Sequence, residues 1–253
     1  MDQQQILSCA LDVGEQMLIS GAEVSRVELA ISMICKAYGC GRADVFIITS
    51  SMILTIEDKD GNHATQTRRL TGTATNLDKL HELNALSRQI CAETPGYEQV
   101  QQKLRAICQN QSYPLWLQAL ASGLIAFAFT VFFGGIWSDG FVAFFLGLGL
   151  RFLTGLLQKV AANQIIVNVI AAFVLSVCTI ALVRCGLGRD MDKILIGNIM
   201  LLIPGIALTN SLRDLISGDI ITGLLRFLDA VLVAAAIAAG YILAAHFLGG
   251  GLV

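Results

Sequence analysis

The chain has little of what most catalytic centres need. Only three histidines and three prolines occur in 253 residues. His63 and His81 have no partner at metal-ligand or triad spacing, and the His-x4-Asp pattern of acyltransferases is missing: Arg68, Leu86 and Gly251 stand where its aspartate would be. The seven cysteines form no CxxC pair and no zinc-ligand pattern. Five of them (Cys9, Cys35, Cys40, Cys91, Cys108) lie in the front half, and an odd number without a framework suits reduced thiols used as small apolar filler. No metal and no cofactor is expected from this inventory, and no enzyme. Charge is scarce and balanced, 17 basic against 19 acidic residues for a net −2, which gives no electrostatic case for nucleic acid as a partner. No Lys or Arg precedes Arg26, so the N-terminus does not read as a signal peptide, and no phosphate-binding loop follows a strand.

What the chain has is apolar sequence. It is 55% hydrophobic with a mean hydropathy of +0.68, too high for an ordinary soluble domain, and the excess begins after Pro114. Residues 1–112 read as a soluble α+β domain. Ile6, Leu7, Ala10, Leu11, Met17 and Leu18 mark one helix stopped by Gly21. Val24, Val27, Ile31, Ile34 and Tyr38 mark a second, ended by Gly39. Residues 43–57 suggest two strands divided near Ser50-Ser51. A turn at Lys59-Asp60-Gly61-Asn62 would lead to a third strand over 63–70, paired with 52–57. Two further helices follow, separated at Pro95-Gly96. In Gly21-Ala22-Glu23-Val24-Ser25-Arg26-Val27-Glu28, two glutamates bracket Arg26 at a helix start; helix-end electrostatics with local ion pairing explains that spacing.

Residues 113–253 read as a helical membrane domain of about five spans, near 115–136, 140–157, 164–183, 194–208 and 220–248. Trp116 and Trp137 bracket the first span. Arg151 reads as a snorkelling side chain, and Gly147, Gly149 and Gly155 as sites of close helix packing. The distribution of positive residues favours a cytoplasmic N-terminal domain, although Arg184, Arg189 and Lys193 oppose it.

The most unusual stretch is residues 201–230, LLIPGIALTNSLRDLISGDIITGLLRFLDA. Pro204-Gly205 should break a membrane helix and open backbone groups able to hold a substrate or an ion, with Asn198 and Asn210 on either side. Asp219, Thr222, Arg226 and Asp229 follow at helical spacing on one face. Asp214, Asp219 and Asp229 are candidate proton carriers, because burial raises a carboxylate's pKa. Arg213 and Arg226 would neutralise them or hold a substrate carboxylate. An interfacial turn with solvated charges and a proline kink without function explains the same residues.

These residues carry a resemblance. Pro204-Gly205, Asn210, Arg213-Asp214, Gly218-Asp219, Thr222-Gly223 and Arg226, with Gly21-Ala22-Glu23 and Arg26-Val27-Glu28 at the other end, resemble the motifs of the threonine/serine exporter family (ThrE type) over nearly the whole chain. The resemblance implies the larger subunit of the family's split form, working with a small all-membrane partner subunit of the YjjB type in a bacterial inner membrane. It implies a secondary exporter driven by the proton gradient, carrying a C4-dicarboxylate such as succinate, or threonine and serine. The substrate would meet Asn198, Pro204, Gly205, Asn210 and Arg226. Asp214 and Asp229, with Asp219, would carry protons, and Arg213 would pair charge. A passive channel or a regulatory membrane scaffold fits charged residues within a span equally well, and a membrane-bound lipid-modifying enzyme fits less well.

Overall fold

The computed structural model describes residues 1–58, 61–70, 72, 75–109, 113–160 and 163–248. They divide into two compact units: Met1–Gln111 with Gly205–Leu228, and Ser112–Pro204 with Asp229–Val253.

In the first unit, helix α1 (Gln3–Ile19) opens with a capping box, Asp2 accepting from the Gln5 backbone at 2.7 Å while the Gln5 side chain returns to the Asp2 N–H. It ends at Gly21, whose φ of 96° suits glycine. Helix α2 (Val24–Ala37) ends in the same way at Gly39, with φ of 86°. Strands β1 (Arg42–Ile48), β2 (Ser51–Glu57) and β3 (His63–Arg69) form an antiparallel meander, with Ile47 opposite Met52, and Ile56 opposite Ala64. Of the expected hairpin turn, Lys59 and Asp60 lie outside the described residues. Asp58 accepts from the Asn62 backbone at 2.8 Å across it. Helices α3 (Leu77–Glu93) and α4 (Tyr97–Gln109) complete the N-terminal elements.

Alternation gives the sheet one buried face. Met52, Leu54 and Ile56 enter a core shared with Leu11, Met17, Ile31, Ile34, Leu83 and Ile90. Cys9 and Cys35 are buried there, and burial pushes both thiols up to about 12, which keeps them inert. The α+β character expected of the N-terminal residues is therefore present. The unit also takes in helix α9 (Gly205–Ser217) and the first two turns of helix α10 (Ile220–Leu248).

The second unit contains α5 (Leu115–Phe132), α6 (Trp137–Val160), α7 (Gln164–Arg184), α8 (Met191–Ile199) and the rest of α10. Four helices among the described residues, α5, α6, α7 and α10, are long and apolar enough to cross a membrane. The fourth span expected at 194–208 takes a different form. Helix α8 stops at Ile199, and the Leu202 and Ile203 N–H groups both turn back to the Ile199 carbonyl. Pro204 has no N–H to continue the ladder, and α9 begins afresh at Gly205.

Glycine sets the packing of this unit at particular points. A Cβ on Gly147 of α6 would lie 2.9 Å from the Ser122 carbonyl oxygen of α5. One on Gly197 of α8 would lie 2.8 Å from the Thr130 backbone nitrogen, and one on Gly240 of α10 would run into the Val169 carbonyl oxygen of α7. Gly149 has open space around it, and the nearest neighbour of Gly155 is at 3.6 Å, so close packing explains Gly147 but neither of the other two. Arg151, expected to snorkel, donates to Gln118 on α5 and so has a protein partner.

Candidate functional site

The site forms where α9 and the start of α10 return to the N-terminus of α2, all within the first unit. The fold creates an unmet need there. Glu23, at the N-cap of α2, makes no side-chain capping bond. The exposed first-turn N–H groups and the positive end of the helix dipole are left to other partners. Asp214 supplies one: its Oδ1 accepts from the Val24 N–H at 3.3 Å. Its Oδ2 accepts from Arg226 at 2.9 Å.

Asp214 is fully buried and the Arg226 side chain is 17% exposed. The pair is therefore largely withdrawn from water, where Coulomb attraction is strong and an unpaired charge is expensive. Burial raises the Asp214 pKa, opposed by the Arg226 charge and by the Val24 hydrogen bond, while Asp219 adds a smaller push upward.

The same helix start is gripped at several points. Asn210 donates to the Gly21 carbonyl at 3.0 Å, and Arg226 to the Ala22 carbonyl at 3.3 Å. Arg213 pairs with Glu23. Thr222, buried on the next turn of α10, donates to the Ile47 carbonyl of β1 at 3.1 Å. Arg26 is exposed and in no ion pair among the described residues, so the local Glu23–Arg26–Glu28 pairing expected from spacing gives way to Glu23–Arg213.

Of the residues singled out in the sequence, the structure gathers Asn210, Arg213, Asp214 and Arg226 around Gly21-Ala22-Glu23. Asp219 is half-buried beside them, and its charge reaches Glu28, whose pKa is raised first by burial and then by Asp219. Asp229 is exposed and has no hydrogen-bond or ion-pair partner among the described residues. Gly205 is exposed and Pro204 half-buried at the helix break.

Asn198 belongs to the second unit. It is wholly buried, its amide donates to the Ile194 carbonyl at 3.0 Å, and its Oδ1 has no partner among the described residues. No group of three or more His, Cys, Asp or Glu able to hold a metal occurs among the described residues.

Two features escaped the reading of the sequence. One is the meeting of segments about 190 positions apart: periodicity marks each helix but not which helix start a distant carboxylate will cap. The other is Asp139, in the first turn of α6, which the sequence marks only as part of a connection without positive residues. It is buried, and accepts from the backbones of Ile136 (3.2 Å), Arg189 (2.6 Å) and Asp190 (3.3 Å). It borders an open cavity of about 580 Å³ lined also by Gly134, Asp190 and Asp192. An acidic residue in the first turn of a helix, able to reach back to the N–H just before it, was a visible capping signal.

Four apolar helices of membrane-crossing length mark a multi-pass membrane protein. Residues 8–248 match the family described as "Putative threonine/serine exporter", and the chain belongs to that family. It is 26% identical to the "Probable succinate transporter subunit YjjP" of Escherichia coli K12, over 96% of this chain and 94% of that protein. It is 27% identical to the protein of the same name in Klebsiella aerogenes, over 94% and 90% of the two chains. It is 26% identical to the "Threonine/serine exporter" of Corynebacterium glutamicum, covering 93% of this chain and half of that longer one. No solved structure matches. These names are those of exporters and of a transporter subunit rather than of enzymes, and the word "subunit" in the YjjP names implies a partner.

Proposed function

We propose that this chain is one subunit of a two-component bacterial inner-membrane exporter for a small carboxylate metabolite, powered by the proton-motive force, with its N-terminal unit in the cytoplasm. The partner is a small all-membrane subunit of the same family, as the subunit names of the YjjP relatives suggest.

The observation that carries the reading is the buried Asp214–Arg226 pair at the α2 N-terminus. Protonating Asp214 removes the negative partner and leaves Arg226 free to take a carboxylate; deprotonation draws Arg226 back. Entry requires α9 to part from α2, with Gly218 (φ 100°) as the adjustable joint before α10. Asn210 then has a free amide for the substrate, Asp219 and Glu28 form the next carboxylates in line for the proton, and Asp229 is the acceptor further along α10. The opened backbone at Pro204-Gly205 and Asn198 are further substrate contacts.

The two candidate substrate classes use this pair differently. Threonine or serine spans it, carboxylate on Arg226 and ammonium on Asp214, so substrate and proton compete for Asp214 and exchange follows. Succinate offers Asp214 no donor and binds with Asp214 protonated, and the membrane potential drives its excess negative charge outward.

The test is efflux from cells lacking native exporters, loaded with succinate, threonine or serine, expressing this chain alone or with a candidate partner, with and without an uncoupler. Uncoupler-sensitive efflux that needs both chains, and that is lost in Asp214→Asn, is expected. Efflux from an Asp214→Asn, Asp229→Asn double variant equal to wild type would remove the coupling assignment. No efflux from a correctly inserted pair would remove the exporter.

A further inference from the structure

Helix α9 is built inside out. Its only buried residues are Ser211 and Asp214, both polar. Three of its five large apolar side chains face outward, Ile206 at 43% exposed, Leu212 at 45% and Ile216 at 88%, while Leu208 and Leu215 are half-buried. Ile216 is the most exposed large apolar side chain described in the first unit. An amphipathic helix on a soluble domain does the reverse, burying its apolar stripe and wetting its polar one.

Outward apolar side chains do not stop with the α9 ridge. Ile220, Ile221, Leu224, Leu225 and Leu228 are likewise exposed along the first turns of α10. Those turns belong to the first unit, and further on the same helix is long and apolar enough to cross a membrane. The outward apolar side chains of α9 are thus followed directly in sequence by those of a helix whose neighbour is lipid. Helix α9 itself has 13 residues, about 20 Å of helix, against roughly 30 Å of hydrocarbon, so it is too short to cross.

We infer that α9 is a membrane-surface helix: it lies in the boundary between headgroups and acyl chains, Ile206, Leu212 and Ile216 immersed in lipid, its polar side holding the first unit. The occupant of the exposed face is the bilayer. A helix that presents apolar side chains to lipid and its polar ones to protein gains the apolar transfer energy and keeps Asp214 and Ser211 satisfied inside. Arg213 flanks the ridge with its side chain 56% exposed, positioned to reach headgroups while it pairs with Glu23. The ridge carries no basic cluster, so the immersion rests on apolar area and needs no anionic lipid. This inference rests on the chain being a membrane protein and not on what it transports, and its test measures no transport.

The experiment uses the full chain in phosphatidylcholine vesicles with Trp116→Phe and Trp137→Phe, which removes both native tryptophans. One tryptophan is then introduced as Leu212→Trp or Ile216→Trp. His63→Trp serves as a water-facing control, since His63 is exposed at the end of the sheet opposite the Ile47 contact. Emission from Leu212→Trp and Ile216→Trp should be blue-shifted and quenched severalfold by lipids brominated on the acyl chain, and resist iodide. His63→Trp should show the opposite. Quenching by iodide and not by brominated lipid overturns the inference in favour of a solvated face. Shielding from both quenchers also overturns it, whether it depends on protein density in the vesicle, as for a second copy, or on a co-reconstituted partner. Because both positions are already exposed, the substitutions do not disturb the core, and two sites keep the outcome from resting on one.

Discussion

Asp214 exchanges its hydration for an arginine and a backbone N–H, and the balance is uneven. The Arg226 bond carries the charge, while the Val24 bond needs only an acceptor. Arg226→Ala therefore strands a buried carboxylate and should destabilise the chain by about 3–5 kcal/mol, read as a lower unfolding midpoint. Asp214→Asn keeps an acceptor for Val24 and removes the charge. The Asp214→Asn, Arg226→Ala double variant should be more stable than Arg226→Ala alone, and a cycle showing no coupling would mean that the pair does not form.

The pH dependence follows from direction. Burial holds Asp214 and Glu28 above the usual carboxylate range, so the folded chain keeps protons that the unfolded chain releases. Their contribution to stability is complete below the unfolded values and is lost as pH rises through the folded ones. Wild type should lose more stability across that window than the Asp214→Asn, Glu28→Gln variant does. Parallel pH profiles would show that neither group is perturbed.

At the scale of elements, glycines of similar appearance in the sequence differ in what they hold apart. Gly197→Ala drives a methyl into the Thr130 backbone and should part α8 from α5, at about 1–3 kcal/mol or more in detergent unfolding. Gly149→Ala enters open space and should be neutral or slightly stabilising, since alanine is the better helix former. Equal effects at the two sites would mean that α8 does not sit against α5 as described.

The elements themselves were largely legible. Gly21 and Gly39 stop helices where their spacing placed them, because a reversal with positive φ leaves few other choices. The strands showed in their alternation. The division of 191–217 into two helices was legible only in part: Pro204 announced a break, but not that α8 would end five residues earlier on the doubly used Ile199 carbonyl. Nor could hydropathy reveal that α9 points its polar side inward, since an apolar window reads alike whichever way it faces.

Over the whole molecule, the resemblance of both ends of the chain to one family's motifs was visible, while the reason those motifs go together was not. Glu23 and Arg213 are ordinary charges until the fold joins them. The first unit is assembled from two stretches, Met1–Gln111 and Gly205–Leu228, with residues 112–204 between them. Expressed alone, residues 1–111 lack the acceptor that Asp214 gives Val24 and the bonds from Asn210, Arg226 and Thr222. That fragment should exchange its amides around Val24 and Ile47 faster than the full chain does. Equal protection would show that the returning segment contributes nothing to the fold.

This arrangement also orders the events of biosynthesis. The N-terminal helices and sheet leave the ribosome first, yet the helix start at Val24 must wait for Asp214, which arrives only after α5 to α8 have been made. A chain cut short anywhere before α9 therefore carries an unfinished first unit, with the end of α2 uncapped and the β1 carbonyl of Ile47 unclaimed. Completion of the N-terminal fold thus reports that the middle of the polypeptide has been synthesised, and truncated products present a locally open structure to the proteases that survey new membrane proteins.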